Sequence, residues 1–406
     1  MESLKLLAIF VIIVIALRKK LSVGVTLFGA GVITALLYSV PIMDVLQSYW
    51  ALLLSRRFIS LTAVIVLITI LGGLLKELGY LEKLTAACRG LYGGQRTAAA
   101  TLPPLVGLMP MPGGSLLSAP LVNSVLTDSR YKPEFKCVVN YWSRHVVEFF
   151  MPIYPGIIVS EAVTGMPIGQ IALMQLPMAL AMALIGYIFY IRRIEKSRSD
   201  GGSLAATFKG IFSTIWPVLL TVSIYGVFKI EMAWGALISI ALLLAITRPR
   251  KKQWWGPVKK GLSYKLVFLV FGILSFQTVL ELSGAVASIQ SLSVEYNFPA
   301  EVIIVLVSFT SGLLTGMLAA LVALSYSLLA GFLYSPEIIP SNILLAFVAG
   351  YIGMMVSPTH LCLTLTNDYF GSDLLKVIKT MIIPLLLLGG IGYLLYLSPW
   401  PDLVYP

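Results

Sequence analysis

The segment Asn140-Tyr-Trp-Ser-Arg-His-Val-Val-Glu148 places an arginine, a histidine and a glutamate inside an otherwise apolar run. Arg144 follows Lys136 by eight residues, which at helical rise puts it roughly 12 Å into a membrane. A charge at that depth is costly, turns toward the protein interior and marks a candidate functional site. Its guanidinium suits two-pronged binding of a carboxylate or phosphate. Glu148 stands one helical turn on, so two readings are open. Arg144 and Glu148 form an internal ion pair that ties helices together, or Arg144 holds an anionic substrate with Glu148 or His145 as a proton-linked group. Histidine as a type changes charge near neutral pH. His145-Val-Val-Glu148 also has a His-x-x-Glu form, but without a second cluster of ligands it does not indicate a metal centre.

Three further segments could meet a ligand. Leu108-Met-Pro-Met-Pro-Gly-Gly-Ser115 breaks a helix with two prolines and two glycines. Pro112, Gly113 and Gly114 leave Ser115 near the start of the next helix, with Ser118 one turn on. A helix start presents unpaired N–H groups and attracts anions. Irregular backbone at membrane depth is tolerated only within protein or beside a water-filled cavity. Ser308-Phe-Thr-Ser-Gly-Leu-Leu-Thr-Gly316 offers Thr310, Ser311 and Thr315 as donors or ion ligands beside Gly316, though small residues also serve close helix packing. Ser357-Pro-Thr-His360 supplies Ser357, Thr359 and His360, whose oxygens and freed backbone suit an ion or an anion. The expected substrate-binding set is therefore Pro112, Gly113, Gly114, Ser115, Ser118, Asn140, Arg144, Thr315, Gly316, Ser357, Thr359 and His360. The expected coupling set is His145, Glu148, Thr310 and Ser311, with sodium near the hairpin tips as the one candidate ion and no other metal or cofactor. Asp368 reads as a solvated helix-end charge.

The elements that position these residues belong to a membrane. Hydrophobic residues are 58% of 406 and charged residues 12%, far from a soluble balance. The fold class expected is an all-α polytopic membrane protein of two inverted repeats, each with five transmembrane helices and one re-entrant hairpin. The first repeat covers 1–195, with spans 4–18, 22–40, 57–76, 135–160 and 168–191 and a hairpin at 97–127. A linker covers 196–206. The second repeat covers 207–406, with spans 207–228, 231–247, 264–283, 342–366 and 375–397 and a hairpin at 299–333. Met151-Pro152 through Gly165 and Ser357-Pro358 through Gly371 share a proline and a glycine at one offset, 206 residues, so the interrupted helices 135–165 and 342–371 occupy corresponding places. Such interruptions are the best sequence pointer to a transporter's binding site.

Charge tests this topology. If both hairpins return to their own side, 24 lysines and arginines fall on one face and 4 on the other, with Arg144 completing the 29. That bias makes the rich face cytoplasmic and puts both termini outside a cell membrane. The net charge of +11 sits in short loops between apolar runs, which argues against nucleic acid as a partner. Cys88, Cys137 and Cys362 have no metal or redox spacing and read as small core residues. No Walker loop, zincin motif, Gly-x-Ser-x-Gly or paired membrane aspartate appears, against a hydrolase, an ATP-driven pump or an intramembrane protease.

Leu102-Pro-Pro-Leu-Val-Gly-Leu-Met-Pro-Met-Pro-Gly-Gly-Ser115 and Ser357-Pro-Thr-His-Leu-Cys362 resemble a family of archaeal and bacterial integral membrane proteins of unknown function, over nearly the whole chain. That family is grouped with the ion-transporter superfamily, beside divalent-anion/sodium symporters, citrate carriers and gluconate permeases. The resemblance implies a homodimer with a scaffold part and a transport part, moving as an elevator. The symporters carry Ser-Asn-Thr at their hairpin tips, where this chain has Pro-Gly-Gly-Ser and Leu-Thr-Gly. The expected function is secondary active transport of a small organic anion with sodium or proton coupling. A cation/proton antiporter using Glu148 and His360 is one alternative; an intramembrane enzyme on a lipid-linked substrate is another, and a passive channel a third.

Overall fold

A computed structural model describes residues 2–19, 21–89, 94–109, 114–196, 204–285, 297–334 and 336–406. Every regular element among them is helical. Five segments are long and apolar enough to cross a membrane by length and composition: Arg56–Glu77, Ile168–Arg193, Thr207–Phe228, Lys251–Leu282 and Leu374–Tyr396. They overlap five of the ten expected spans. Three more of the ten are shorter helices, Glu2–Arg18, Val23–Leu37 and Met232–Thr247. The last two are the interrupted helices. Many large apolar side chains on these elements are exposed, among them Leu180, Leu184, Phe212, Leu386 and Leu394, an outer surface suited to lipid and not to water.

The segments 42–54, 80–89 and 251–261 fall outside the expected spans and hairpins. They are helices, Ile42–Leu54, Tyr80–Arg89 and Lys251–Gly261. Each mixes polar and apolar residues at helical spacing, a signal hidden from a search for long apolar runs.

Each expected hairpin is a pair of short helices. The first is built from Gly94–Gly107 and Ser115–Val125, the second from Ala300–Thr315 and Leu318–Leu328. Arms of 11 to 16 residues rise about 16–24 Å, less than the roughly 30 Å core. The arms of each hairpin pack on one another.

Element order repeats along the chain. Gly94, Pro155 and Ile168 each begin a helix, and helices begin again 206 residues later at Ala300, Leu361 and Leu374. The resumed halves of the interrupted helices, Pro155–Thr164 and Leu361–Phe370, both have 10 residues. Each ends on a glycine in the left-handed region, Gly165 at φ +78° and Gly371 at φ +60°, the conformation glycine adopts without cost at a helix end. Each resumed half packs on the returning arm of the other half's hairpin: Pro155–Thr164 on Leu318–Leu328, and Leu361–Phe370 on Ser115–Val125. This exchange brings both interruptions to one place. The expected linker lies largely outside the described residues.

Candidate functional site

The first interrupted helix runs as Pro133–His145, tightens into a 3-10 turn at Val146–Phe149, and resumes at Pro155. The second runs as Pro340–Met355, opens at 356–360 and resumes at Leu361. Proline opens the first segment of both helices, where its missing N–H is harmless. A broken helix leaves terminal carbonyls without partners. Here two tyrosines exchange them. Tyr141 donates its hydroxyl to Met355 O at 3.1 Å, and Tyr351 donates to His145 O at 2.7 Å. Each tyrosine sits one turn before its own break and satisfies the other. The pair is absent from the expected site residues, although a tyrosine four residues before each helix end is a signal in the sequence.

Arg144, His145 and Glu148 are all buried. Arg144 donates from an Nη to Glu148 Oε1 at 3.0 Å. Gly107, at the end of the first hairpin's leading arm, lies flat against them. A Cβ there would stand 2.7 Å from Arg144 O. Asn140, one turn before Arg144, donates to Ser115 O at 2.9 Å. Its Oδ1 is buried with no hydrogen-bond partner among the described residues. Ser115 donates to Cys362 O at 2.9 Å, and Ser118 to Ser115 O at 3.1 Å. Gly114 is buried and caps the start of the returning arm. Pro112 and Gly113 lie outside the described residues.

From the other half, His360 meets this group. His145 Nε2 and His360 Nε2 are 3.0 Å apart, and the Nδ1 of His360 is 2.6 Å from Gly316 O. Gly316 ends the leading arm of the second hairpin at φ +59°, pressed so close that a Cβ would lie 2.6 Å from Thr359 Oγ1. Ser357 donates to Leu313 O at 2.6 Å and shares a 2.8 Å hydrogen bond with Thr359. The opened backbone of the second helix is thus laced to the second hairpin. Ser311 and Thr315 bond back to their own helix, at Val307 O and Ser311 O. Thr310 is only half-buried on the same arm. These three are not drawn into the Arg144 cluster by any hydrogen bond described. Cys362, read from sequence as a plain core residue, instead lies with the two histidines. One ligand atom from each of His145, His360 and Cys362 falls within 4.8 Å of the others. The second ligand cluster absent from the linear motif is supplied by the other half of the chain.

A cavity of about 610 Å³ lies elsewhere, at the far end of the resumed half Pro155–Thr164. Arg56, Arg57, Glu161, Gln277 and Glu281 line it. Arg57 donates to Ala162 O, to Val163 O at 3.2 Å and to Gln277 Oε1 at 2.7 Å. A cation on the last carbonyls of a helix is favourable, and this role was not read from sequence.

The family described as "Protein of unknown function (DUF401)" matches residues 2–398, so the chain belongs to that family. No curated protein matches. Among solved structures, the crystal structure of the Alcanivorax borkumensis YdaH transporter is similar, with a TM-score of 0.58 and 14% identity. The likeness covers 89% of this chain and 90% of that one. At that identity it is a likeness of fold.

Proposed function

We propose that this DUF401 protein is a secondary active transporter of a small organic anion of the carboxylate type, driven by a sodium or proton gradient through elevator-like alternating access. The observation that carries this reading is Arg144. A guanidinium is held in a buried place where two interrupted helices and the returning arm of a hairpin meet. Buried charge without function would be selected against in a membrane interior. Arg144, the start of the Ser115 arm and Asn140 Oδ1, without a hydrogen-bond partner among the described residues, make one wall of the site. Ser357, Thr359 and His360 make the other. The likeness of fold to the YdaH transporter supports transport as the activity. The two halves are inverted repeats in this reading. The protein is a homodimer in a cell membrane with both termini outside, and the 610 Å³ cavity is a vestibule on one face.

A thermal-shift screen of the purified protein against carboxylates, phosphate and sulfate, with and without sodium, identifies the ligand, because a native-state ligand raises apparent stability. Uptake of that ligand into proteoliposomes then requires one gradient. Because Arg144 has a partner, Arg144→Gln alone mixes folding with binding. The informative variant is Arg144→Gln with Glu148→Gln, which leaves no unpaired charge. It is expected to retain a folded, monodisperse protein and lose uptake. Uptake that survives in this variant, or that ignores collapse of both gradients, overturns the reading.

A further inference from the structure

We infer that His145, His360 and Cys362, with Glu148 as a fourth donor, form a site for one divalent transition-metal ion of the zinc class. The site would exist whether or not the chain transports an anion.

Two hydrogen bonds fix the tautomers of the histidines. His145 Nδ1 is 2.6 Å from Tyr141 O, and His360 Nδ1 is 2.6 Å from Gly316 O. A carbonyl oxygen only accepts, so each ring carries its proton on Nδ1. A neutral imidazole has one ring proton, so both Nε2 atoms present lone pairs. These two atoms nevertheless face each other at 3.0 Å in a buried place. Lone pairs at that distance repel, and a cation between them turns repulsion into two bonds.

A proton would satisfy the two nitrogens alone. It would leave unexplained why a thiol and a carboxylate converge on the same point. The ligand atoms of His145, His360 and Cys362 lie within 4.8 Å of one another, and Glu148 Oε1 is 3.7 Å from His145 Nε2. Tetrahedral zinc, with nitrogen at about 2.0–2.1 Å and sulfur at about 2.3 Å, sets its ligand atoms roughly 3.3–3.6 Å apart. The 3.0 and 3.7 Å contacts bracket that spacing. The Nδ1–carbonyl bonds are the outer-shell contacts that fix tautomer and ring direction in metal-binding histidines. Imidazole with thiolate selects zinc, cobalt or nickel over sodium, magnesium or calcium. Thiolate and carboxylate together balance a divalent charge. Arg144, bonded to the same Glu148 oxygen, leaves the cluster with one positive charge, which favours an anion beside it. His145 and Glu148 come from one half and His360 and Cys362 from the other, so the ion would join the two helix breaks.

The test uses the full-length protein in detergent, stripped with a chelator and titrated with Co²⁺. The expected result is about one Co²⁺ per chain, with the visible bands of a tetrahedral ion and a thiolate-to-cobalt charge-transfer band, both removed by Zn²⁺. Cys362→Ser is expected to abolish the charge-transfer band, and His360→Ala to weaken binding by at least about 100-fold, since outer-shell losses alone cost 10–100-fold. Cys137→Ser, a buried cysteine outside the cluster, should change neither. Zinc-edge X-ray absorption needs no variant and should find one sulfur at about 2.3 Å with nitrogen or oxygen at about 2.0–2.1 Å. Monodisperse wild-type protein that retains no Co²⁺ overturns the site and leaves the histidine contact to a shared proton. A sulfur-free shell, or a charge-transfer band that survives Cys362→Ser, overturns it equally.

Discussion

The break after His145 and the break after Met355 face the same backbone problem in different chemical surroundings. Both strand helix-end carbonyls within the protein, and both are relieved by a tyrosine from the opposite helix, Tyr351 for one and Tyr141 for the other. Their side chains then diverge. The first break carries Arg144, His145 and Glu148, an ion pair with a histidine beside it. The second carries Ser357 and Thr359, hydroxyls bonded to the carbonyls of the second hairpin, and His360, which reaches across to His145. Backbone satisfaction is therefore shared evenly between the halves, while charge is placed on one of them. The proposed site takes its cationic wall and its hydroxyl wall from that division.

Stranding the charge is expected to have the largest effect. Glu148→Ala leaves a buried guanidinium without its carboxylate and should cost about 3–5 kcal/mol in detergent unfolding experiments. Arg144→Gln combined with Glu148→Gln should recover most of that loss. If the single variant costs under about 1 kcal/mol, the pair does not hold the first break together. Next comes the close approach at the second break. Gly316→Ala should exceed the roughly 1–2 kcal/mol penalty of a left-handed non-glycine residue, because its Cβ would also strike Thr359 Oγ1 and His360 N. Gly371→Ala has a similar φ and open space, and should show the backbone penalty alone. Equal losses in thermal melts would remove the packing argument.

The shared feature is tested by Tyr141→Phe and Tyr351→Phe. Each leaves one buried carbonyl without its donor and should cost about 1–3 kcal/mol, by similar amounts. A large cost in one and none in the other would show that the breaks are not equivalent in backbone. The smallest effect is expected from Ser357→Ala, about 1 kcal/mol for its lost hydrogen bonds, with the first break unchanged by hydrogen exchange.

Much of this frame was legible from residue types. Proline cannot continue a helix ladder and glycine tolerates a left-handed end, so Pro152, Gly165, Pro358 and Gly371 marked interruptions that the helices do show. The depth of Arg144 within an apolar run singled it out. The amphipathic helices at 42–54, 80–89 and 251–261 went unread because their signal is periodicity and not length. Cys362 and the histidine contact went unread for another reason. Nothing near Cys362 in sequence distinguishes it from a packing residue, and its neighbour His145 is more than two hundred positions away.

The apolar helices, the places where helices must break, and the presence of charge inside an apolar run were fixed by local chemistry: helix ladders, backbone solvation and the cost of burying ions act within a few residues. Which break meets which, and so which tyrosine serves which carbonyl and which histidine faces which, was decided only when the resumed half of each interrupted helix packed on the opposite hairpin. Contacts between residues so far apart in the chain depend on shape matching between whole helices, and that information is spread over many small packing terms, with no single motif to carry it.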